Sequence, residues 1–316
     1  MTKHKIYFRA DASASIGYGH FVRTLALADM LKDDFECTFF TTSPTDYQIR
    51  EMENVCPYVA LEESTKFEQF LQYLTGDEIV VLDNYFYSTD YQRKIKAKGC
   101  KLVCVDDIHD KHYVADVVIN HALTDRSLFD VEAYTRLCLG FEWALLRKPF
   151  LQLQDTDKVK DHWLVSFGGS DYKNMTGRFM SILQNDVRVK SVTVIVGDAY
   201  QYMDTLSQYS KAIVKKNLSA AQMAEEMVKA EYAVLPSSTV SIEAVSRKCK
   251  IASGYFVDNQ KYIAKIWADE GFVVGLGDLD NYNSNQFISD LLTFQPNQSI
   301  DFSGIPSRYQ KLFKEI

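Results

Sequence analysis

The chain has 316 residues, 47% of them hydrophobic and 24% charged, with a net charge of −7. Such a composition is globular and suits two domains of roughly 150 residues each, and its acidic balance argues against a dedicated nucleic-acid or anionic-membrane binder. No apolar run reaches the roughly 18 residues of a membrane span and no basic-then-apolar leader opens the chain, so a cytoplasmic protein is expected.

In chain order, the first half alternates apolar runs at 5–9, 36–41, 58–60, 79–83, 101–106 and 116–120 with helical stretches at 19–31, 67–74 and 87–98. The second half repeats the scheme, with strands at 162–167, 191–196, 211–214, 232–235 and 250–253 and helices at 174–184, 220–229, 241–247 and 259–270. The runs are continuous rather than alternating, as in strands buried on both faces, and they predict two doubly wound parallel sheets of Rossmann type, hence an α/β fold. The polar stretch from Lys148-Pro149 to Val159-Lys160 is read as the hinge. The domains are therefore placed at 1–147 and 160–300, with a tail at 301–316 that can pack back on the first domain. Six cysteines are scattered with no CxxC pair, which predicts reduced core thiols.

Four stretches carry chemistry. The first strand runs into Gly17-Tyr18-Gly19-His20, and the helix follows at once. Glycines there permit a tight turn and a close approach of ligand to backbone N–H groups, and those groups at a helix start favour negative charge. The spacing is neither a dinucleotide fingerprint nor a P-loop. His20 at the mouth can act as a base, or it can simply bond its own backbone. The second stretch, Gly168-Gly169-Ser170-Asp171, repeats the strand–turn–helix design and reads either as a phosphate loop or as a plain turn. The third places Glu243 after the hydroxyl-rich turn Ser237-Ser238-Thr239, on the first turn of a helix, where it can accept both ribose hydroxyls or close a capping box. The fourth comprises Asp83-Asn84-Tyr85 and Asp106-Asp107 at strand ends, the edge where open parallel sheets bind ligands, with Asp258-Asn259-Gln260 as their counterpart in the second half. No further carboxylate or histidine is spaced to complete a metal site, and His109, His112 and His121 read as loop residues.

Together, Arg9-Ala10-Asp11-Ala12-Ser13, Ile16 to His20, Arg23, Asp83 to Tyr85, Asp106-Asp107, Gly168 to Asp171, Asn174, Ser237-Ser238, Glu243-Ala244 and Asn259-Gln260 resemble one family over nearly the whole chain. It is the UDP-sugar hydrolases of pseudaminic acid biosynthesis, with the related spore coat polysaccharide proteins. The resemblance implies the GT-B architecture, two Rossmann-like domains facing a cleft, with UDP on the C-terminal domain. It also implies inverting, metal-independent and cofactor-free hydrolysis of a UDP-linked diacetamido-trideoxy sugar. His20 would activate water, and Tyr85 and Asn259 would stand near the sugar. Arg9, Asp11, Gly17, Gly19, Arg23, Asp83, Gly168, Gly169, Ser170, Asp171, Asn174, Ser238, Glu243 and Gln260 would bind substrate, Ser170 and the glycine amides at the diphosphate and Glu243 at the ribose. Lys173 is a further candidate for the leaving group's charge. Asn84 departs from the family pattern, which often has His there, and this raises the expectation of a different sugar. An inverting glycosyltransferase using a UDP-sugar donor, or a non-catalytic nucleotide-sugar binder, are the alternatives.

Overall fold

The computed structural model describes residues 3–12, 17–152, 157–297 and 300–316. Ser13 to Ile16 of the opening motif lie outside the described residues. The chain divides into two compact units, one of Met1–Lys148 with Asp301–Ile316 and one of Pro149–Ile300.

The first unit runs β1 (Lys5–Ala10), α1 (Gly19–Leu31), β2 (Glu36–Thr42), α2 (Asp46–Glu53), β3 (Tyr58–Leu61), α3 (Lys66–Tyr73), β4 (Ile79–Asp83), α4 (Thr89–Ala97), β5 (Lys101–Val105), β6 (Val117–Asn120) and β7 (Arg136–Leu139). Among the described residues these strands form a seven-stranded parallel sheet in the order β3-β2-β1-β4-β5-β6-β7. Strand β4 is buried along its whole length, as a central strand covered on both faces must be. The order reverses between β1 and β4, paired from Ile6↔Ile79 to Ala10↔Asp83, so the two strands open a crevice at their carboxyl ends. Phe8, Phe21, Phe39, Phe40 and Phe70 fill the core around β1 and β2.

The second unit runs β8 (Val159–Val165), α5 (Met175–Leu183), β9 (Ser191–Val196), α6 (Met203–Leu206), β10 (Ala212–Lys216), α7 (Ala220–Lys229), β11 (Ala230–Pro236), α8 (Thr239–Ser246), β12 (Lys250–Tyr255), α9 (Asp258–Asp269), β13 (Val274–Asp278) and α10 (Gln286–Thr293). Its described strands form a six-stranded parallel sheet, β10-β9-β8-β11-β12-β13, which is the first unit's order repeated up to its sixth strand. Trp163, Phe179 and Phe287 anchor its core. Helix α11 (Ile305–Glu315) belongs to the first unit and packs on α1. No helix of the described residues is long and apolar enough to cross a membrane.

Elements β7, α2, α6 and β13 were not expected from the sequence. Strand β13 carries two glycines in five residues, and β7 is four residues long. Helix α2 buries only Gln48 and Met52, so it lacks an apolar stripe, yet its Thr45/Gln48 capping box was a readable start signal.

Candidate active site

Strand β1 ends in the crevice, and Gly17 turns the chain there at φ +83°, a conformation that costs a residue with a Cβ. Helix α1 begins at Gly19, which sets His20 and Arg23 one turn apart on its buried face. His20 Nδ1 lies 2.7 Å from Asp83 Oδ1. A carboxylate only accepts, so the Asp83 bond calls for the proton on Nδ1, the tautomer that leaves Nε2 as the ring's acceptor; Arg23 Nη2 also lies 3.1 Å from Nδ1. Asp83, at the end of β4, has no exposure and also accepts from Arg23 Nε and Nη2 at 2.6 Å each and from Thr24 Oγ1 at 2.8 Å. Burial alone would raise this carboxyl's pKa, but Arg23 and His20 beside it hold it well below the ordinary carboxylate range.

The remaining nitrogen of Arg23, Nη1, donates to Asp107 Oδ2 at 2.9 Å, and the Tyr85 hydroxyl donates to the same oxygen at 3.1 Å. The Tyr85 ring stands edge-on to the His20 ring with centroids 4.6 Å apart. His20, Tyr85, Arg23, Asp83 and Asp107 are therefore one connected cluster. Asp106, Lys111 and Asn84 line the same pocket as His20 and Tyr85. His121 is buried within electrostatic reach of Arg23, Asp107 and Asp83. It accepts from the Leu145 N–H at 3.3 Å, and burial, with Arg23 adding to it, pushes its pKa down to about 3, so it is neutral.

Four residues expected on the substrate are buried and bonded within the protein, and two of them, Arg23 and Asp83, line the pocket with His20 and Tyr85. Arg9 and Asp11 form a buried ion pair, and Asp11 also accepts from the Thr42 N–H and from Lys66. Arg23 and Asp83 use their polar atoms on one another and on the cluster. Their residue types were legible, whereas pairings up to 84 positions apart in sequence were not. Asn84 lines the pocket and is bonded within the protein as well. Its amide accepts from the Asp11 N–H at 2.7 Å and donates to the Asp11 carbonyl at 3.2 Å, so it pins the chain just before the glycine turn. Asp107 was seen only as half of an Asp-Asp pair, and its link to Tyr85 and Arg23 had no local signal.

In the second unit the ends of β8, β11 and β12 are neighbours, with Val234 opposite Val165 and Pro236 opposite Gly254. The Gly168-Gly169-Ser170 loop follows β8. Both glycines are exposed, Ser170 is half-buried, and Gly168 has φ +87°. Asp171 and Asn174 cap α5. Asp171 accepts from the Met175 and Thr176 N–H groups at 2.8 Å, and Asn174 Oδ1 accepts from the Gly177 N–H at 3.0 Å and the Tyr200 hydroxyl at 2.7 Å. The first-turn donors of α5 are thus occupied by the protein's own side chains. Lys173 is tied to the Phe256 carbonyl and Asp280.

Ser238 is the N-cap of α8 but makes no side-chain cap bond. Glu243 is buried in the second turn of α8, one turn later than expected, and the cap position of Ser238 rules out its closing a capping box. Half-buried Asn259 stands in the first turn of α9, and Gln260 accepts from the Phe256 N–H at 3.3 Å. Among the described residues, no group of three His, Cys, Asp or Glu is placed to hold a metal ion.

No family model matches the chain. It is 25% identical over 283 residues to the UDP-2,4-diacetamido-2,4,6-trideoxy-beta-L-altropyranose hydrolase of Campylobacter jejuni, a match covering 85% of this chain and 98% of that protein. It is 25% identical over 282 residues to the spore coat polysaccharide biosynthesis protein SpsG of Bacillus subtilis, covering 85% of this chain and 82% of that one. An uncharacterised protein of Methanocaldococcus jannaschii is 27% identical over 226 residues, and there the chain spans only 46% of its relative. Solved structures of Acinetobacter baumannii MurG (14% identity, 99% of this chain and 100% of that one) and of the calicheamicin glycosyltransferase CalG4 (11%, 100% and 98%) both superpose with a TM-score of 0.65. The chain is thus a distant relative of the altropyranose hydrolase and of SpsG, and its fold is GT-B.

Proposed function

We propose that the protein is an enzyme that hydrolyses a UDP-linked 2,4-diacetamido-2,4,6-trideoxy sugar, as its Campylobacter relative is named for doing. The observation that carries this reading is the His20–Asp83 pair. A buried carboxylate fixes the imidazole's tautomer and leaves Nε2 to accept a proton. In the reaction, a water oxygen attacks the anomeric carbon and gives a proton to His20 Nε2. The carbon–oxygen bond to the nucleotide breaks, and UDP departs with the bonding electrons, so the anomeric centre inverts. UDP is a stable leaving group, so the enzyme's main tasks are to place the base and to hold the developing charge.

In this reading the exposed amides of Gly168 and Gly169, with Ser170, hold the diphosphate. The first-turn donors of α5 do not, because Asp171 and Asn174 occupy them. Glu243 takes the ribose hydroxyls, and Tyr85 and Asn259 flank the sugar. The place of such an enzyme is nucleotide-sugar metabolism feeding a surface polysaccharide or nonulosonic acid.

A second reading is favoured by the solved neighbours, MurG and a glycosyltransferase among them. His20 would then deprotonate an acceptor hydroxyl in place of water, with the same geometry. UDP release from the purified protein and the UDP-sugar alone separates the two. The hydrolase reading expects steady release with no acceptor present, whereas release that begins only when an acceptor alcohol is added would replace it with the transferase reading.

A further inference from the structure

His20 must hold a proton as the reaction proceeds, so the charge around it matters. Asp83 and Arg23 pair through two hydrogen bonds of 2.6 Å and cancel. Asp107 is the second carboxylate on the same guanidinium, at 2.9 Å from Arg23 Nη1. Two carboxylates against one guanidinium leave the cluster one negative charge in excess while the imidazole is neutral. Asp107 is only 8% exposed, and its Oδ1 is buried with no hydrogen-bond partner among the described residues. A buried carboxylate with one oxygen unmet is costly to keep, which points to a use for its charge.

We infer that Asp107 is the positioning residue that supplies this excess charge, through Arg23, so that an imidazolium formed at His20 is the neutralising member of the cluster. This rests on the reading of His20 as the base. Among the described residues, Asp83 and Asp107 are the carboxylates bonded to Arg23, and the other charged groups around the cluster have partners elsewhere. Arg9 and Asp11 from the β1 end pair with each other. Asp106, which lines the pocket, accepts from the Tyr113 hydroxyl, the Asn120 amide and the His109 N–H, and Lys111 pairs with Asp110. His121, the residue after β6, is neutral. Asp107 has a second task through the same oxygen, because it accepts the Tyr85 hydroxyl and so holds that ring edge-on to His20.

The two tasks separate by substitution. Asp107→Asn removes the charge and keeps the shape, whereas Tyr85→Phe removes the hydroxyl bond and keeps the charge. The His20 ring is titrated by NMR in wild type and both variants, its signal assigned from its loss in His20→Ala. The titration midpoint is expected to fall by about one pH unit in Asp107→Asn, the scale of an opposite charge removed at close range, and to stay within about 0.2 unit in Tyr85→Phe. The acid limb of the pH profile for UDP release moves to lower pH in Asp107→Asn by the same amount. Coincident midpoints in wild type and Asp107→Asn overturn the inference, and so does an equal fall in Tyr85→Phe. Failure of the hydrolase reading is seen separately, as absence of UDP release from wild type, and leaves the titration result interpretable.

Discussion

Asp83 shows how much of this site rests on bonds within the protein. It receives donors from His20, Arg23 and Thr24, and those contacts keep it ionised despite complete burial. The unfolded chain returns this carboxyl to about 3.9, whereas in the fold it lies well below that. A depressed carboxyl contributes stability that is present above its unfolded pKa and is lost as pH falls toward the folded one. Asp83→Asn should therefore cost about 3–5 kcal/mol at neutral pH, the scale for breaking a buried pair. Its stability should also change less than wild type's between about pH 5 and about pH 3. Urea titrations at each pH check this, and parallel pH dependences would show that Asp83 is not the titrating group. At this scale the sequence marked His20, Tyr85 and Asp83 as chemistry-bearing, because each follows a strand end or opens a helix. It did not reveal the partners of Asp11, Arg23 and Asn84 within the protein, because these come from segments distant in sequence.

Helix α5 makes the same point one level up. Strand, glycine turn and helix were legible at 162–184 from the apolar run and Gly168-Gly169. What the helix start does with its donors was not, because an Asp or Asn beside a glycine turn serves a ligand or a cap equally well in sequence. In the fold Asp171, at φ +34°, and Asn174, at φ +55°, bend back to take three first-turn N–H groups. Burial pushes the Asp171 carboxyl upward, against the donors that favour its ionised form. Asp171→Ala should destabilise the protein by about 1–2 kcal/mol, as the loss of a helix cap does, measured by urea unfolding. An unchanged midpoint with weakened UDP binding would return Asp171 to the substrate. Elements that escaped the sequence reading did so for lack of pattern: α2 has no apolar stripe, and β13 is interrupted by glycines.

For the whole molecule, both units carry the strand order 3-2-1-4-5-6 when each is counted from its own first strand. Two alternating runs of strands and helices made that architecture legible, because a parallel sheet covered on both faces leaves continuous apolar strands. The chain then returns to the first unit through α11, whose Ile305, Tyr309, Leu312 and Phe313 are buried. Tyr309 stacks edge-on with Trp143 and donates to its carbonyl, and Phe313 meets Phe35. The final helix is therefore part of the first unit's core. Tyr309→Ala should cost about 3–5 kcal/mol, the range for large aromatic truncation in a core. Differential scanning calorimetry checks it, and a melting curve matching wild type's would mean that α11 is not needed for stability.

The central claim is that this fold, with His20 as base, delivers water to the anomeric carbon of a UDP-sugar. The most direct test is hydrolysis of UDP-2,4-diacetamido-2,4,6-trideoxy-beta-L-altropyranose in ¹⁸O-water, with wild type beside His20→Ala, the products read by mass spectrometry. The account predicts one label in the free sugar, none in UDP, and a rate lowered in the variant by about 10²–10⁴-fold, the usual worth of a general base. Label in the β-phosphate of UDP, or equal rates in the two proteins, would contradict it.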